Sequence, residues 1–202
     1  MTVGGHKEMI LFLNSSPRKK GVTTSILKII ADKARSAGAE VEWVDVHDLS
    51  IRPCIGYLKC RPDKKCILPR DDAHHVGELL ANCSGLVVGT PTYWGNMPGP
   101  LKILFDRNVP VLEYYELYTW RFPRPRHKGK PAAIVTASLS PFPFNYLPSQ
   151  GNGSLRAVKI VLNAAGFDIR GQINVPITRD LGHIGERWLA KARKLGKEIG
   201  SW

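Results

Sequence analysis

The chain has 202 residues, enough for one domain with a substantial core, and its 43% hydrophobic and 23% charged residues are typical of a globular protein. The net charge of +12 indicates an anionic partner, such as a nucleic acid, an acidic membrane surface or a phosphorylated cofactor. No apolar run reaches the roughly 20 residues of a membrane span, and residues 1–14 lack the pattern of a secretory signal. Three of the four cysteines lie within 54–66, which favours a reducing compartment, so we expect a cytoplasmic protein.

Strand and helix patterns alternate along the chain, without internal repeats or a linker. Apolar runs and period-two alternation predict strands at 9–14, 40–46, 85–90, 131–137 and 167–175. Helical spacing predicts helices at 22–37, 71–82, 98–107, 153–165 and 184–199. This alternation predicts one α/β domain, in which helices cover both faces of a parallel sheet.

Three loops that follow predicted strands carry unusual residues, at 14–23, 90–97 and 137–152. Ligands of open parallel sheets bind beyond the carboxyl ends of the strands, near the point where the strand order reverses. We therefore expect the three loops to converge on one binding site.

The loop after the first strand has the chemistry of a phosphate site. Ser15, Ser16, Thr23 and Thr24 supply hydroxyl groups, Arg18 supplies a fork of donors, and the helix that follows presents its first amides. The loop lacks both the G-x-G-x-x-G dinucleotide fingerprint and the G-x-x-x-x-G-K-[ST] pattern. Its size suits a single phosphomonoester, and the simpler alternative is a capped turn with its cations in solvent.

The loop after the third strand, PTYWGN at 91–96, places two aromatic residues at the carboxyl edge of the sheet. Tyr93 and Trp94 cannot both point into a core from a strand end, so they either form the wall of a flat ligand site or pack against a neighbouring loop. Gly95 permits close approach of the backbone, and Asn96 adds amide donors and an acceptor. These groups suit the face and the polar edge of a heteroaromatic ring.

Two stretches carry a family resemblance, SSPRKKGVT at 15–23 and PTYWGNMPGPLKILFDR at 91–107. Together they resemble the NAD(P)H-dependent FMN reductase family, and in particular its branch related to iron–sulfur flavoproteins. The resemblance implies a flavodoxin-like three-layer sandwich, with a five-stranded parallel sheet in the order 2-1-3-4-5. It also implies FMN as the cofactor and NAD(P)H as the co-substrate.

The resemblance further implies which residues bind the cofactor. The first loop would hold the FMN phosphate, at Ser16, Arg18, Val22 (through its amide) and Thr23, and the loop's other hydroxyl residues, Ser15 and Thr24, are also expected to bind the cofactor. The second and third loops would border the isoalloxazine ring, at Pro91, Thr92, Tyr93, Trp94, Gly95, Asn96, Ala137 and Ser138. Ser15 stands where the family usually has glycine, and Val22 where asparagine is common. The third loop has proline and phenylalanine where relatives are glycine-rich, which leaves open its ring contacts and the acceptor it admits.

The segment 53–70 contains Cys54, Cys60 and Cys66. The iron–sulfur branch has a compact motif of four cysteines, and Tyr57 occupies the place of the second. Three thiolates do not complete the four-ligand set of a 4Fe–4S cluster. Four interpretations stay open: structural or vestigial cysteines, a cluster with a borrowed or non-cysteine ligand, a redox thiol or disulfide, or a zinc site that adds His74 or His75.

The insertion at 108–130 is longer than a simple helix-to-strand connection. Its aromatic residues precede a basic stretch, at Tyr114, Tyr115, Tyr118, Trp120 and Phe122. Exposed aromatic clusters usually mark interfaces, so we expect a dimer contact and a lid beside the flavin. Nucleic-acid binding and an extended helix packed on its own domain are the alternatives.

The predicted function is transfer of electrons from NAD(P)H through flavin to a small-molecule acceptor, such as a quinone, a flavin or a nitroaromatic compound. Flavin chemistry requires no catalytic side chain, and the six histidines and 17 acidic residues show no compact catalytic pattern. We also expect a preference for NADPH, because of the basic charge, and a homodimer or homotetramer. The alternatives are an electron carrier of the flavodoxin or iron–sulfur flavoprotein type, which would serve a protein partner, and a basic nucleic-acid module.

Overall fold

The computed structural model describes residues 9–60, 65–114, 123–176 and 184–202. Its main strands are Met9–Asn14 (β1), Glu40–Asp45 (β2), Gly85–Pro91 (β3), Pro131–Ala137 (β6) and Asp168–Val175 (β7). A short ribbon within the insertion pairs Glu113–Tyr114 (β4) with Arg124–Pro125 (β5). The helices are Val22–Ser36 (α1), Asp72–Asn82 (α2), Gly99–Arg107 (α3), Val109–Leu112 (α4), Gly151–Ala165 (α5) and Glu186–Ile199 (α6).

The five long strands form one parallel sheet in the order β2-β1-β3-β6-β7. Because β4 and β5 form a separate ribbon, β6 and β7 are the predicted fourth and fifth strands. The predicted flavodoxin-like α/β class and the strand order 2-1-3-4-5 are therefore confirmed.

The three central strands are buried on both faces, which explains their continuous apolar sequences. In β1, Leu11 and Leu13 pack in the layer that contains α2, α3 and α5. Ile10 and Phe12 pack in the opposite layer, with α1 and α6. The edge strand β2 instead alternates between more and less exposed residues. The sheet thus separates two apolar cores.

Sequence patterns locate most boundaries to within two residues. Helix α5 begins at Gly151, two residues before its predicted start, and its last residue is Ala165. Gly166 follows with a φ of +88°, a left-handed conformation that glycine adopts without steric strain. Neither α4 nor the β4–β5 ribbon was predicted. Tyr114 belongs to β4, whereas the predicted lid and contact residues Tyr115, Tyr118, Trp120 and Phe122 lie outside the described residues.

The strand register brings the three expected loops together. Asn14 at the end of β1 lies opposite Gly89 in β3, and Pro91 lies opposite Ala137 at the end of β6. Two backbone bonds extend this alignment beyond the strands, from the Ser15 amide to Gly89 O (2.8 Å) and from the Thr92 amide to Ala137 O (2.9 Å). No helix in the described ranges is long and apolar enough to cross a bilayer.

Candidate functional site

A cavity of about 370 Å³ opens where β1, β3 and β6 end. Its volume lies within the roughly 300–1,000 Å³ of small-molecule sites. All three loops line it, through Ser16, Pro17, Arg18, Gly21, Val22, Thr23, Pro91, Thr92, Tyr93, Ala137, Ser138 and Leu139. The loops selected from sequence therefore meet at one concave surface.

The first turn of α1 suits an anion. Gly21 precedes the helix, no side chain caps its N-terminus, and its first turn contains no acidic residue. Val22 and Thr23 open the helix at the cavity, where the helix dipole is positive and the first amides need acceptors. A Cβ on Gly21 would lie 3.0 Å from Arg18 Cβ and 3.4 Å from Ser16 Oγ, so glycine allows the loop to turn this tightly. The exposed Arg18 adds a positive charge beside the turn.

Asn14 holds the first loop in shape from inside the fold. Its side-chain nitrogen donates to Asp45 Oδ1 (2.6 Å) and Thr24 Oγ1 (3.2 Å), and its side-chain oxygen accepts from the Ser16 amide (3.2 Å). The Lys19 ammonium lies 3.0 Å from Asp45 Oδ2. Burial alone would raise the pKa of Asp45, but hydrogen bonds from Asn14 and Lys19 outweigh it and lower that pKa. The loop therefore keeps its conformation through the protein's own bonds.

Two residues that were predicted to bind phosphate instead donate hydrogen bonds to backbone carbonyl oxygens. The Ser15 hydroxyl donates to Gly89 O (3.0 Å), and the Thr24 hydroxyl donates to Arg18 O (2.9 Å). Both side chains are buried, and neither residue lines the cavity. Ser15 and Thr24 thus shape the loop, whereas Ser16, Arg18, Val22 and Thr23 border the space a ligand would fill.

The second loop makes a tight turn over the cavity edge. Tyr93 and Asn96 exchange backbone hydrogen bonds of 2.9 Å, and the two residues between them, Trp94 (φ +53°) and Gly95 (φ +70°), are left-handed. This conformation is strained for tryptophan by about 1–2 kcal/mol. Trp94 is nevertheless fully exposed, at 104%, while Tyr93 lines the cavity and Gly95 packs on the backbone of Ser149.

The third loop carries several exposed apolar side chains. Leu139 lines the cavity and is 63% exposed, and the loop continues with exposed Phe142, Phe144, Tyr146 and Leu147. The Phe142 and Tyr146 rings contact edge to face, with centroids 6.1 Å apart. We use the name aromatic rim for the large exposed apolar side chains of the second and third loops, of which Leu139 lines the cavity: Trp94, Leu139, Phe142, Phe144, Tyr146 and Leu147.

Sequence reasoning missed four residues of this site. Pro17, Gly21 and Leu139 line the cavity, and Asn14 organises the first loop from below. A polar residue that ends an otherwise apolar buried strand, as Asn14 does, was a usable signal, since a buried amide needs partners.

The cysteine segment is anchored at Arg107. This buried guanidinium donates to both carboxylate oxygens of Asp71 (2.6 and 3.0 Å) and to Arg52 O (2.7 Å). Asp71 caps α2 through the Ala73 amide (3.2 Å), and the Asp71 amide donates to His74 Nδ1 (3.1 Å). Burial alone would raise the pKa of Asp71, but Arg107 outweighs it and lowers that pKa.

The thiols of Cys54 and Cys66 lie in different surroundings. Cys54 is exposed and its sulfur accepts from the Gly56 amide (3.4 Å), while Cys66 lines a second cavity, of about 490 Å³, with His74 and Arg107. Within the described ranges, no three His, Cys, Asp or Glu side chains are placed to share a metal ion.

The sheet order and the position of the first cavity define a flavodoxin-like α/β protein. The sequence model of the family described as NADPH-dependent FMN reductase matches residues 9–143, more than half of the chain. The chain belongs to this family. The predicted family is thereby confirmed, and the family's description agrees with the predicted oxidoreductase class and with FMN as the predicted cofactor.

Individual relatives add detail to the family assignment. An iron–sulfur flavoprotein of Methanocaldococcus jannaschii is 29% identical over 108 residues, which span 54% of this chain and 55% of that protein. One of Clostridioides difficile is 25% identical over 194 residues, 95% of this chain and 77% of that protein. The match thus spans about half the length of the first relative.

Solved structures show the same fold. The FMN-dependent NADH-azoreductase of Bacillus anthracis, in complex with FMN, has a TM-score of 0.70 and 14% identity and covers 96% of this chain and 98% of that chain. At this identity, the likeness concerns the fold alone.

Proposed function

We propose that the protein binds FMN in the cavity at the ends of β1, β3 and β6 and passes electrons from a nicotinamide to a small planar acceptor. The observation that carries the proposal is the uncapped, acid-free start of α1 beside Arg18, at the point where the strand order reverses. Bound flavin would supply the redox chemistry, and the protein would supply binding, orientation and a partly dry environment.

The first loop would bind the phosphate of FMN. Arg18 is exposed and able to donate two parallel bonds to phosphate oxygens. The amides of Val22 and Thr23 would donate from the start of α1, and the Ser16 hydroxyl lies at the same wall. Because the loop is already held in this shape, little ordering cost opposes binding.

The other two loops would border the flavin ring. Thr92 and Tyr93 line one side of the cavity, and Ala137 and Ser138 line the other. Gly95 and Asn96 complete the turn that fixes Tyr93, and Pro91 ends the strand beneath it. These two loops would hold the ring in place and tune its electronics through their contacts.

The acceptor would enter across the aromatic rim. Its exposed side chains would offer flat apolar surface, with Leu139 at the cavity itself, which favours a planar compound such as a quinone, a flavin or a nitroaromatic. With a quinone, NAD(P)H and one proton from water give NAD(P)⁺ and the hydroquinone, so that two electrons and two protons reach the acceptor.

A pair of neighbouring cations tests the phosphate assignment. Arg18→Gln removes a charge-assisted donor worth about 1.5–3 kcal/mol, so we expect the Kd of FMN to rise at least about tenfold. Lys19→Gln is the matched control, because Lys19 is paired with Asp45 and Asp48 on the outside of the loop. Fluorescence titration of the apoprotein measures both, and equal losses would reject the assignment.

Three finer features belong to the same proposal. We propose one FMN-binding domain over residues 1–202, a homodimer or homotetramer, and a preference for NADPH that follows from the net charge of +12. Equal kcat/KM values for NADH and NADPH at low salt would reject the nucleotide preference. If NAD(P)H fails to bleach the bound flavin, the electron-carrier alternative replaces the reductase.

A further inference from the structure

We infer that this chain binds no iron–sulfur cluster, unlike the flavoproteins to which it is similar, and that Tyr57 is the reason. The inference that no cluster binds does not depend on the proposed function. Its consequence, that electron transfer is confined to the flavin, rests on the proposed FMN site.

The chain is one thiol short of a complete ligand set. A 4Fe–4S cluster takes four cysteine thiolates, and the sequence contains four cysteines in total. Cys83, however, is 1% exposed in the core, where its thiol donates to Leu80 O (3.2 Å) at the end of α2. Three cysteines therefore remain for any cluster.

The resemblance to iron–sulfur flavoproteins implies that Tyr57 stands at the position of the fourth thiol. Gly56 (φ +67°) and Leu58 (φ +58°) flank it in left-handed conformations, so the backbone turns sharply and displays residue 57 between Cys54 and Cys60. The ring is 56% exposed, and the Lys59 ammonium lies 4.8 Å from its centroid. A solvated neutral phenol next to a cation is a poor substitute for a thiolate.

Among the described neighbours, Asp71 and His74 do not replace the missing ligand. Asp71 is engaged by Arg107, and His74 accepts from the Asp71 amide, so both are fixed in the cap of α2. Cys66 lines the cavity beside these residues, and that lining includes neither Cys54 nor Cys60. The part of the chain that the structure describes thus contains no converging metal ligands.

Iron and acid-labile sulfide, counted per chain after anaerobic reconstitution, test the inference. Wild-type protein and the control Tyr57→Phe should retain less than about half an iron atom per chain. Tyr57→Cys should acquire roughly four iron and four sulfide per chain, because it completes the thiolate set. Position 57 is exposed, so neither substitution disturbs the core.

Stoichiometric iron in the wild type would overturn the inference without the variants. Folded Tyr57→Cys protein that takes up no more iron than the wild type would overturn the role of Tyr57. FMN content, measured on the same samples, separates this result from the proposed function: protein without flavin contradicts the FMN site and leaves the iron count interpretable.

Discussion

The loop after β1 and the segment after β2 leave the same edge of the sheet but are built differently. In the first loop, Asn14, Ser15 and Ser16 are buried and bonded to one another or to the sheet. In the second, residues 52–59 are all exposed, and the bonds that hold the segment are made at Arg52, with Asp71 and Arg107.

This difference shows which site the fold itself prepares. The first loop has the shape and electrostatics of an anion site before any ligand arrives, because its polar groups are paired beneath it. The exposed residues 53–59 of the cysteine segment bond only to near neighbours in the described ranges, as the Gly56 amide does to Cys54 Sγ (3.4 Å) and the Lys59 amide to Tyr57 O (2.8 Å). Membership in the FMN reductase family follows from the match over residues 9–143, and that membership alone does not imply the cluster of the named relatives.

Removal of the anchor should give the largest effect. Arg107→Met would leave the Asp71 carboxylate without its buried partner, and we expect a loss of about 3–5 kcal/mol in the free energy of unfolding. Arg170→Met is the control, since its pair with Asp168 is exposed and worth at most about 1 kcal/mol. Urea unfolding measures both. FMN affinity should remain within about threefold of wild type in folded Arg107→Met protein, and a greater loss would mean that the two regions are coupled.

Acid should destabilise the protein through His127, outside both regions. Burial, with the charge of Lys130, lowers the pKa of His127 to about 4. The unfolded state binds the proton near pH 6.5, so stability is complete above that pH and falls by about 3 kcal/mol as pH drops from 6.5 to 4. The pKa values of Asp45 and Asp71 are lowered, which keeps their titration below this window.

Thermal melts between pH 4 and 7 measure this loss. In His127→Phe the stack on Phe167 is retained while the titrating group is removed, so the slope over this window should flatten. An unchanged slope would assign the acid sensitivity to another group.

A smaller loss should follow when the second and third loops are forced apart. A Cβ at Gly153 would overlap the carbonyl oxygens of Gly95 and Pro148. We expect Gly153→Ala to cost about 1–3 kcal/mol and to weaken FMN binding, since Tyr93 would shift. Gly99→Ala meets nothing within 4 Å and is the matched control at another helix start. If Gly153→Ala binds FMN with wild-type affinity, the contact between the two loops does not determine the shape of the FMN site.

The smallest effect is expected at the aromatic rim. Trp94→Ala removes a fully exposed ring, so the free energy of unfolding should change by at most about 0.5 kcal/mol. The Kd of FMN should stay within about twofold of the wild-type value. The KM for a planar acceptor should rise several-fold, because stacking surface is lost. Ile160→Ala, which removes an exposed apolar side chain on α5, should leave that KM unchanged. Steady-state kinetics with a quinone checks the pair, and equal KM values would reject the rim as the acceptor surface.

The fold was predictable because its signals are local. Apolar runs mark strands buried on both faces, and Gly166 marks the end of α5 because only a left-handed residue closes the helix there. The first loop was also predictable, since hydroxyls, a cation and a helix start occur together in sequence.

Other features depend on distant partners and left little trace in the sequence. Asn14 matters because Asp45 lies opposite it at the end of the adjacent strand β2. Arg107, at the end of α3, matters because Asp71 caps the start of α2 beside it. The full exposure of the Trp94 side chain depends on a turn in which Trp94 and Gly95 both adopt left-handed conformations. Spacing alone does not indicate such a turn.

The most direct test of the central claim is the absorbance spectrum of the anaerobically purified protein, recorded before and after NADPH is added. Two flavin bands that bleach with NADPH, at one FMN per chain, are the predicted result. A colourless protein that fails to take up added FMN would contradict the account, because the cradle at the start of α1 would then serve a different anion.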